Sequence, residues 1–223
     1  MVKNSEIVKN LVEVLGIAGA GRRSESMPVE IYLGGEAEVR IYEDIVEKIR
    51  KPKRYRIPQL DEVLRKRRTK MEARIISMAR RNGVATPIVL DVEGDKIVME
   101  RIKGQPVKHI MTPEISREIG KAVAKLHKAG IIHGDITPMN MIYCNDKIYF
   151  VDFGLAFIED RIEPKGVDVH VYFESLKASF DNWKELKDAF IEGYMEYDKA
   201  KEVLKRAEEI AERGRYVERI SQK

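Results

Sequence analysis

Between residues 133 and 154 the chain carries a pattern that few folds can accommodate. The run His133-Gly134-Asp135-Ile136-Thr137-Pro138-Met139-Asn140 is followed, after a short apolar strand, by Asp152-Phe153-Gly154. Phosphoryl transfer needs a carboxylate to orient the attacking oxygen and accept its proton. It also needs oxygen ligands for a magnesium ion that neutralises the phosphates. Asp135 suits the first task, and Asn140 and Asp152 suit the second. The short step from Asp135 to Asn140 lets both side chains enter one site across a loop. Gly154 is expected to free the backbone to turn after the metal ligand. Each piece alone is weak, since an Asp-Phe-Gly tripeptide reads first as a turn. Two such motifs in this order, each at a strand boundary and both behind a helix ending Leu126-His127-Lys128-Ala129-Gly130, are specific.

The flanking sequence predicts two lobes. Strand patterns cover 29–33, 39–41 and 45–49, and two more, 88–92 and 96–100, flank the turn Glu93-Gly94-Asp95. Between them, Pro58 to Gly83 reads as a helix, with Leu60, Val63, Leu64, Met71, Ile75, Met78 and Ala79 at helical spacing. Beyond Gly104 the pattern turns helical. Pro113 to Gly130 places Ile115, Ile119, Val123 and Leu126 on one face. Short strands at 141–143 and 147–151 enclose an Asn-Asp turn, and helical periodicity then covers Leu176 to Met195 and Ala200 to Arg213. The fold class expected is α+β, a minimal two-lobed arrangement. Residues 1–28 form an N-terminal extension, 29–102 a strand-rich nucleotide-binding lobe with one long helix, and 103–223 a reduced helical lobe. The extension holds a short amphipathic pattern (Ile7, Leu11, Leu15). Its run Gly16 to Gly21 follows no strand, so it reads as a flexible stretch rather than a dinucleotide loop.

Composition excludes some classes. No apolar run reaches the roughly 18 residues a membrane helix needs, and the start of the chain lacks a signal-peptide pattern. A single cysteine, Cys144, precludes an internal disulfide and reads as an inert core thiol. The expected location is the cytoplasm. Charged residues make up 35% of the chain for a net charge of only +4, which fits a surface of ion-pair networks in a heat-adapted protein. The positive charge is clustered: Lys48, Arg50, Lys51, Lys53, Arg54 and Arg56; then Arg65, Lys66, Arg67, Arg68 and Lys70; then Arg213, Arg215 and Arg219 near the C-terminus. Such clusters meet nucleic-acid phosphates or an acidic partner, or simply form solvated helix faces.

The segment from Leu126 to Asn140 and the Asp152-Phe153-Gly154 motif resemble the catalytic and metal loops of protein kinases. Gly134 replaces the usual arginine, and no Ala-Pro-Glu motif follows Gly154. The resemblance therefore implies a kinase without an extended activation segment or a peptide-docking region. The match is nearer to the small archaeal and eukaryotic kinase of the KEOPS complex, which assists tRNA threonylcarbamoylation. That likeness runs along nearly the whole chain. It is carried by Gly34-Gly35-Glu36-Ala37, Lys53 to Pro58, Arg67-Arg68-Thr69 with Glu72-Ala73-Arg74, Met99-Glu100 with Gly104, His133 to Met141, Asp152 to Phe157, and Lys165-Gly166-Val167-Asp168. The Arg-rich stretch before the long helix separates this family from RIO-type kinases, which share the His-Gly-Asp variant.

The resemblance implies roles in the upper lobe. Gly34 and Gly35 let the backbone approach phosphates, while Glu36, Ala37 and Glu38 occupy the place of the usual third glycine. Val39 would cover the adenine. Lys48 would contact the α and β phosphates, with Lys51 and Lys53 as rivals, and Glu72 would hold Lys48; the alternative for Glu72 is a surface pair with Arg68. Met99, Glu100 and Ile102 would form the adenine hinge. His127, His133, His170 and Trp183 read as packing residues.

The function implied is Mg-ATP-dependent phosphoryl transfer to Ser or Thr, including the chain's own, or to water. Its partners would be the KEOPS transferase subunit, a further small subunit, and tRNA through the basic C-terminal tail. The alternative is mainly a scaffold and tRNA-binding module. A small-molecule phosphotransferase is disfavoured by the short lower lobe.

Overall fold

The structure, a computed structural model, describes residues 27–221, with side chains to Arg213. The amphipathic pattern and glycine run expected in 1–26 lie outside the described residues, as do the side chains of Arg215 and Arg219. Five antiparallel strands form the upper sheet: β1 (Glu30–Leu33), β2 (Ala37–Ile41), β3 (Ile45–Arg50), β4 (Val89–Glu93) and β5 (Lys96–Glu100). Their order is β1-β2-β3-β5-β4. Residues directly opposite share a face, so the register aligns Val39, Lys48 and Ile97 in one row and Ile41, Val46 and Met99 in the next.

The long helix α1 (Pro58–Arg81) begins on Pro58 and carries Arg80 and Arg81 in its last turn, where cations suit the helix dipole. Its buried face follows the apolar stripe of the sequence only from Ile75 onward, where Ile75 and Ala79 are buried. Leu60, Val63 and Met71 are exposed, while Asp61, Thr69, Glu72, Ala73, Ile75, Ile76 and Ala79 are buried. The physical reason is electrostatic. Asp61 near the start of α1 and Glu72 beyond its middle are buried because each faces cations. Asp61 takes Arg65 at 2.8 Å, Arg56 at 3.4 Å and the Lys53 amide at 3.3 Å.

The lower part is helical: α2 (Pro113–Lys128), α3 (Ile162–Ser179), α4 (Trp183–Tyr194) and α5 (Ala200–Ser221). Thr112 caps α2 by accepting from the Ile115 amide. α2 and α4 cross where Gly120 meets Gly193. A Cβ on Gly120 would lie 2.2 Å from the Phe190 carbonyl, and one on Gly193 would lie 2.0 Å from that of Arg117. The continuous helix expected over Leu176 to Met195 is in fact two. Phe180 is extended (φ −138°, ψ 132°) and turns its ring into the core, so the chain breaks before Trp183.

The core runs from Ile75, Ile76 and Ala79 of α1 through Val123 and Leu126 to Tyr172, Phe190 and Tyr194. His127 and Trp183 pack there as expected. Cys144 does not: it is half-buried at the end of β8 (Met141–Cys144), which pairs with β9 (Lys147–Phe150) on one side and the two-residue β6 (Gln105–Pro106) on the other, and its thiol donates to the Lys103 carbonyl at 3.3 Å. The β8–β9 hairpin closes on Asn145 and Asp146, both at positive φ, as a tight two-residue turn demands. Only Leu155 to Arg161 separates the Asp152-Phe153-Gly154 turn from α3. Within that stretch β10 (Phe157–Ile158) pairs with β7 (Ile131–Ile132). No described helix is long and apolar enough to cross a membrane.

Candidate active site

Three segments far apart in the sequence meet at Lys48. Its Nζ donates to Glu72 Oε1 at 2.6 Å and to Asp152 Oδ1 at 2.6 Å. β3 supplies the lysine, α1 the glutamate, and the loop after β9 the aspartate. Burial works against the ammonium, yet the Glu72 and Asp152 carboxylates outweigh it and raise the Lys48 pKa above its ordinary value. Burial likewise raises the Asp152 carboxyl, but the Lys48 charge and hydrogen bond prevail and hold it below the usual range. The rival lysine Lys53 is engaged elsewhere, with Glu36 at 2.7 Å and the Gly35 carbonyl at 3.0 Å. Arg68 also pairs with Glu36, not with Glu72.

The second group lies on the loop between β7 and β8. A single 3-10 turn at Pro138–Asn140 folds the loop back on itself. Asn140 Nδ2 then donates to the Asp135 carbonyl at 2.9 Å and to its Oδ2 at 2.8 Å. This orientation leaves the Asn140 carboxamide oxygen directed away from Asp135. The Asp152 side chain is 55% exposed. Among the described residues no cluster of three His, Cys, Asp or Glu side chains forms a closed metal cage. A magnesium ion shared with phosphates needs only one or two protein oxygens, so the donor set of Asn140 and Asp152 fits it.

The turn after the strand is built differently from expectation. Asp152 itself adopts positive φ (59°), a region that Asp tolerates. Gly154 does not; it is needed for space, since a Cβ there would lie 3.0 Å from Asp152 Oδ1 and 3.1 Å from Lys48 Nζ.

One residue that the sequence quoted only as part of a matching stretch, Asp168, supports the loop, and a second, Lys165, braces the connector that leads into α3. Asp168 of α3 is buried and accepts from the His133 and Gly134 amides, each at 2.7 Å. Lys165 is buried too and reaches Asp160 Oδ1 at 2.6 Å and the Tyr197 hydroxyl at 2.9 Å. His127 lies 3.4 Å from Asp168 and 2.6 Å from the Tyr194 hydroxyl. Burial holds both His127 and His133 below the ordinary histidine range. Gly134 sits at φ +82°, and a Cβ would approach the Leu155 carbonyl to 2.7 Å. An arginine at this position would meet both obstacles.

The phosphate-loop residues Gly34, Gly35, Glu36 and Ala37 form the turn between β1 and β2, closed by the Gly34 amide on the Ala37 carbonyl at 3.0 Å. The Glu36 carboxylate points to Lys53 and Arg68, so only its backbone is left to face a ligand. Val39 is half-buried in the Lys48 row, and Met99 lies in the adjacent row. In the connector, the Glu100 amide is engaged with the Ile88 carbonyl and the Arg101 amide with that of Asp44. Ile102 follows directly.

Comparison with known proteins gives this geometry a context. A family model described as the RIO domain matches residues 21–163. Over 193 residues the chain is 68% identical to a probable serine/threonine-protein kinase BUD32 homolog of Archaeoglobus fulgidus, covering 86% of this chain and 99% of that one. The chain belongs to the Bud32 family of RIO-domain, kinase-like phosphotransferases. It is also 42% identical to the KEOPS complex subunit Bud32 of Pyrococcus abyssi, over 78% of this chain and 86% of that one. A probable bifunctional tRNA threonylcarbamoyladenosine biosynthesis protein of Methanocorpusculum labreanum is 47% identical over 82% of this chain, which spans only 35% of that longer protein. The Rio2 kinase of Chaetomium thermophilum, solved as an ADP/Mg2+-phosphoaspartate complex, shares the fold, with a TM-score of 0.59 at 16% identity over 90% of this chain and 75% of that one. The RIO-domain match runs through Lys53 to Arg56, so the Arg-rich stretch does not set this chain outside the RIO-domain family, contrary to the expectation from sequence.

Proposed function

We propose that this chain binds Mg-ATP between its two lobes and transfers the γ-phosphoryl to its own Ser or Thr side chains or to water. Within a KEOPS complex this activity would support formation of threonylcarbamoyladenosine on tRNA. The observation that carries the reading is the Lys48 ammonium, buried between Glu72 and Asp152 at 2.6 Å from each. A buried cation held between a helix carboxylate and a half-exposed carboxylate at a cleft is arranged to receive phosphate.

Residues 29–102 would hold the nucleotide. Gly34, Gly35 and the backbone of Glu36 and Ala37 would lie along the phosphates, and Val39 over the adenine. Met99, Glu100 and Ile102 would form the hinge; with the Glu100 and Arg101 amides already engaged, the Ile102 amide is the available donor. Asn140 and Asp152 would hold magnesium, which when bound neutralises the phosphates. Lys48 would lie on the α and β phosphates while Glu72 keeps it there. Asp135, oriented by Asn140 Nδ2, would position the acceptor oxygen and take its proton at the carboxylate. The short stretch from Leu155 to Arg161 offers no platform for an extended peptide, which favours self or water as acceptor.

The relatives support the setting. The Pyrococcus relative is named as a KEOPS subunit, and the Methanocorpusculum relative joins a region like this chain to a longer second part. That supports a partnership with the transferase subunit, alongside a further small subunit and tRNA bound through the basic C-terminal tail. Cytoplasmic location follows from the tRNA role. The test follows label from γ-labelled ATP with magnesium, comparing the native chain with Asp152→Ala, alone and with transferase and tRNA. Label on Ser or Thr, or released phosphate, should depend on Asp152. Turnover unaffected by Asp152→Ala overturns the reading.

A further inference from the structure

A second cation faces the same carboxylate as Lys48, and the proposed reaction assigns it no task. Arg50 follows Lys48 by two positions in β3, so both side chains leave the same face of the strand. Arg50 is 5% exposed, and its Nη2 donates to Glu72 Oε2 while Lys48 holds Oε1. The guanidinium also reaches the Asp152-Phe153-Gly154 turn: a Cβ built on Gly154 would lie 3.8 Å from Nη2. Its Nε is buried and has no hydrogen-bond partner among the described residues. Such an N–H is costly to leave unbonded. The group has therefore been placed to suit Glu72 at the expense of its own hydrogen bonding.

Lys48 faces conflicting demands. Its ammonium serves Glu72 and Asp152 here, and bound phosphates would draw it as well. A carboxylate gripped by one oxygen can pivot about that contact. Arg50 takes the other oxygen with its planar guanidinium. The charges also balance, with Lys48 and Arg50 against Glu72 and Asp152. Without Arg50, one ammonium would be left to neutralise two carboxylates, and it would be drawn into that pair instead of turning to phosphate. We infer that Arg50 is a positioning residue for phosphoryl transfer: it fixes Glu72 so that Lys48 is presented to the nucleotide. This rests on the reading of the site as an Mg-ATP site.

The experiment compares Arg50→Gln, Arg50→Lys, Glu72→Gln, the double variant Arg50→Gln/Glu72→Gln, and Asp152→Asn with the native chain. ATP turnover yields kcat and KM, calorimetry yields Mg-ADP affinity, and circular dichroism reports folding. Arg50→Gln should lower kcat by about 10–100-fold, as misplaced catalytic groups do, while KM and Mg-ADP affinity stay within about threefold. Arg50→Lys should recover most of that loss. In the Glu72→Gln background, Arg50→Gln should add no more than about a twofold loss, because the two act as one unit. A folded Arg50→Gln protein with native kcat overturns the inference, and so does a loss repeated in full on Glu72→Gln. Should Arg50→Gln fail to fold, the other variants decide. The inference stands if Arg50→Lys is near native and the double variant matches Glu72→Gln, and falls if the double variant is about tenfold worse. Native turnover no greater than that of Asp152→Asn overturns the Mg-ATP reading and this inference together. Native turnover with an unaffected Arg50→Gln overturns the role of Arg50 alone.

Discussion

Asp168→Asn isolates what holds the loop that carries Asp135. The carboxylate spans two successive amides, His133 N–H on Oδ2 and Gly134 N–H on Oδ1, each at 2.7 Å and out of reach of solvent. An amide offers one oxygen and turns an NH2 group toward the other N–H. One charge-assisted bond is lost and one buried donor is orphaned, which together cost about 3 kcal/mol. For a chain of this size that corresponds to a fall in Tm of about 6–12 °C. Asp168→Ala orphans both amides and should cost about 4–5 kcal/mol. Asp135 is carried on this loop, so ATP turnover should also fall, by about 100-fold for a shift near an ångström. Thermal melts by circular dichroism and phosphate release measure both effects. An Asn variant that melts within about 2 °C of native, where the hydrogen-bond loss requires more, would refute the account of the latch.

Three further outcomes are expected. Lys48→Met should reduce ATP turnover by about 10²–10³, the usual loss when one preorganised charge is removed from a transition-state site, and isotope-label assays measure it. His127 and His133 are buried with pKa values held down, so the unfolded chain takes up protons near pH 6.5 before the folded chain does. Stability should therefore fall as pH drops below about 6.5, by up to about 1.4 kcal/mol per pH unit for each histidine. Melting curves from pH 7.5 to 5 should show this, and His127→Gln should flatten the slope. Gly134→Ala forces an L side chain to φ +82° beside the Leu155 carbonyl. It should cost at least about 1–2 kcal/mol, read as a lowered Tm.

Much of the fold was legible because local rules agree with it. The strands of the upper sheet, the start of α1 at Pro58, the start of α2 at Pro113 and the Asn145-Asp146 turn each depend on neighbours a few residues away. The turn that brings Asp135 and Asn140 together was legible for the same reason, since only a few residues of chain join them. α1 shows where this stops. Its apolar stripe holds from Ile75 to Ala79, but Leu60, Val63 and Met71 are exposed and Asp61 is buried near the start of the helix, because it meets Arg56 and Arg65 there. The helix break at Phe180 was hidden likewise, since helical periodicity passes through the interruption.

By itself the sequence determined which chemistry the chain can hold: Lys48, Asp135, Asn140 and Asp152 are the residue types that phosphoryl transfer requires, in an order that local structure can present. Only the tertiary structure decided the company they keep. It brought Arg50 to the second oxygen of Glu72, Asp168 beneath the amides of His133 and Gly134, and Lys53 to Glu36 instead of Glu72 and Asp152. A hydrogen-bonding partner is chosen by distance in space, and a buried charge has to find its opposite wherever the packed core brings one within reach. Nothing in the spacing of residues along the chain encodes that distance.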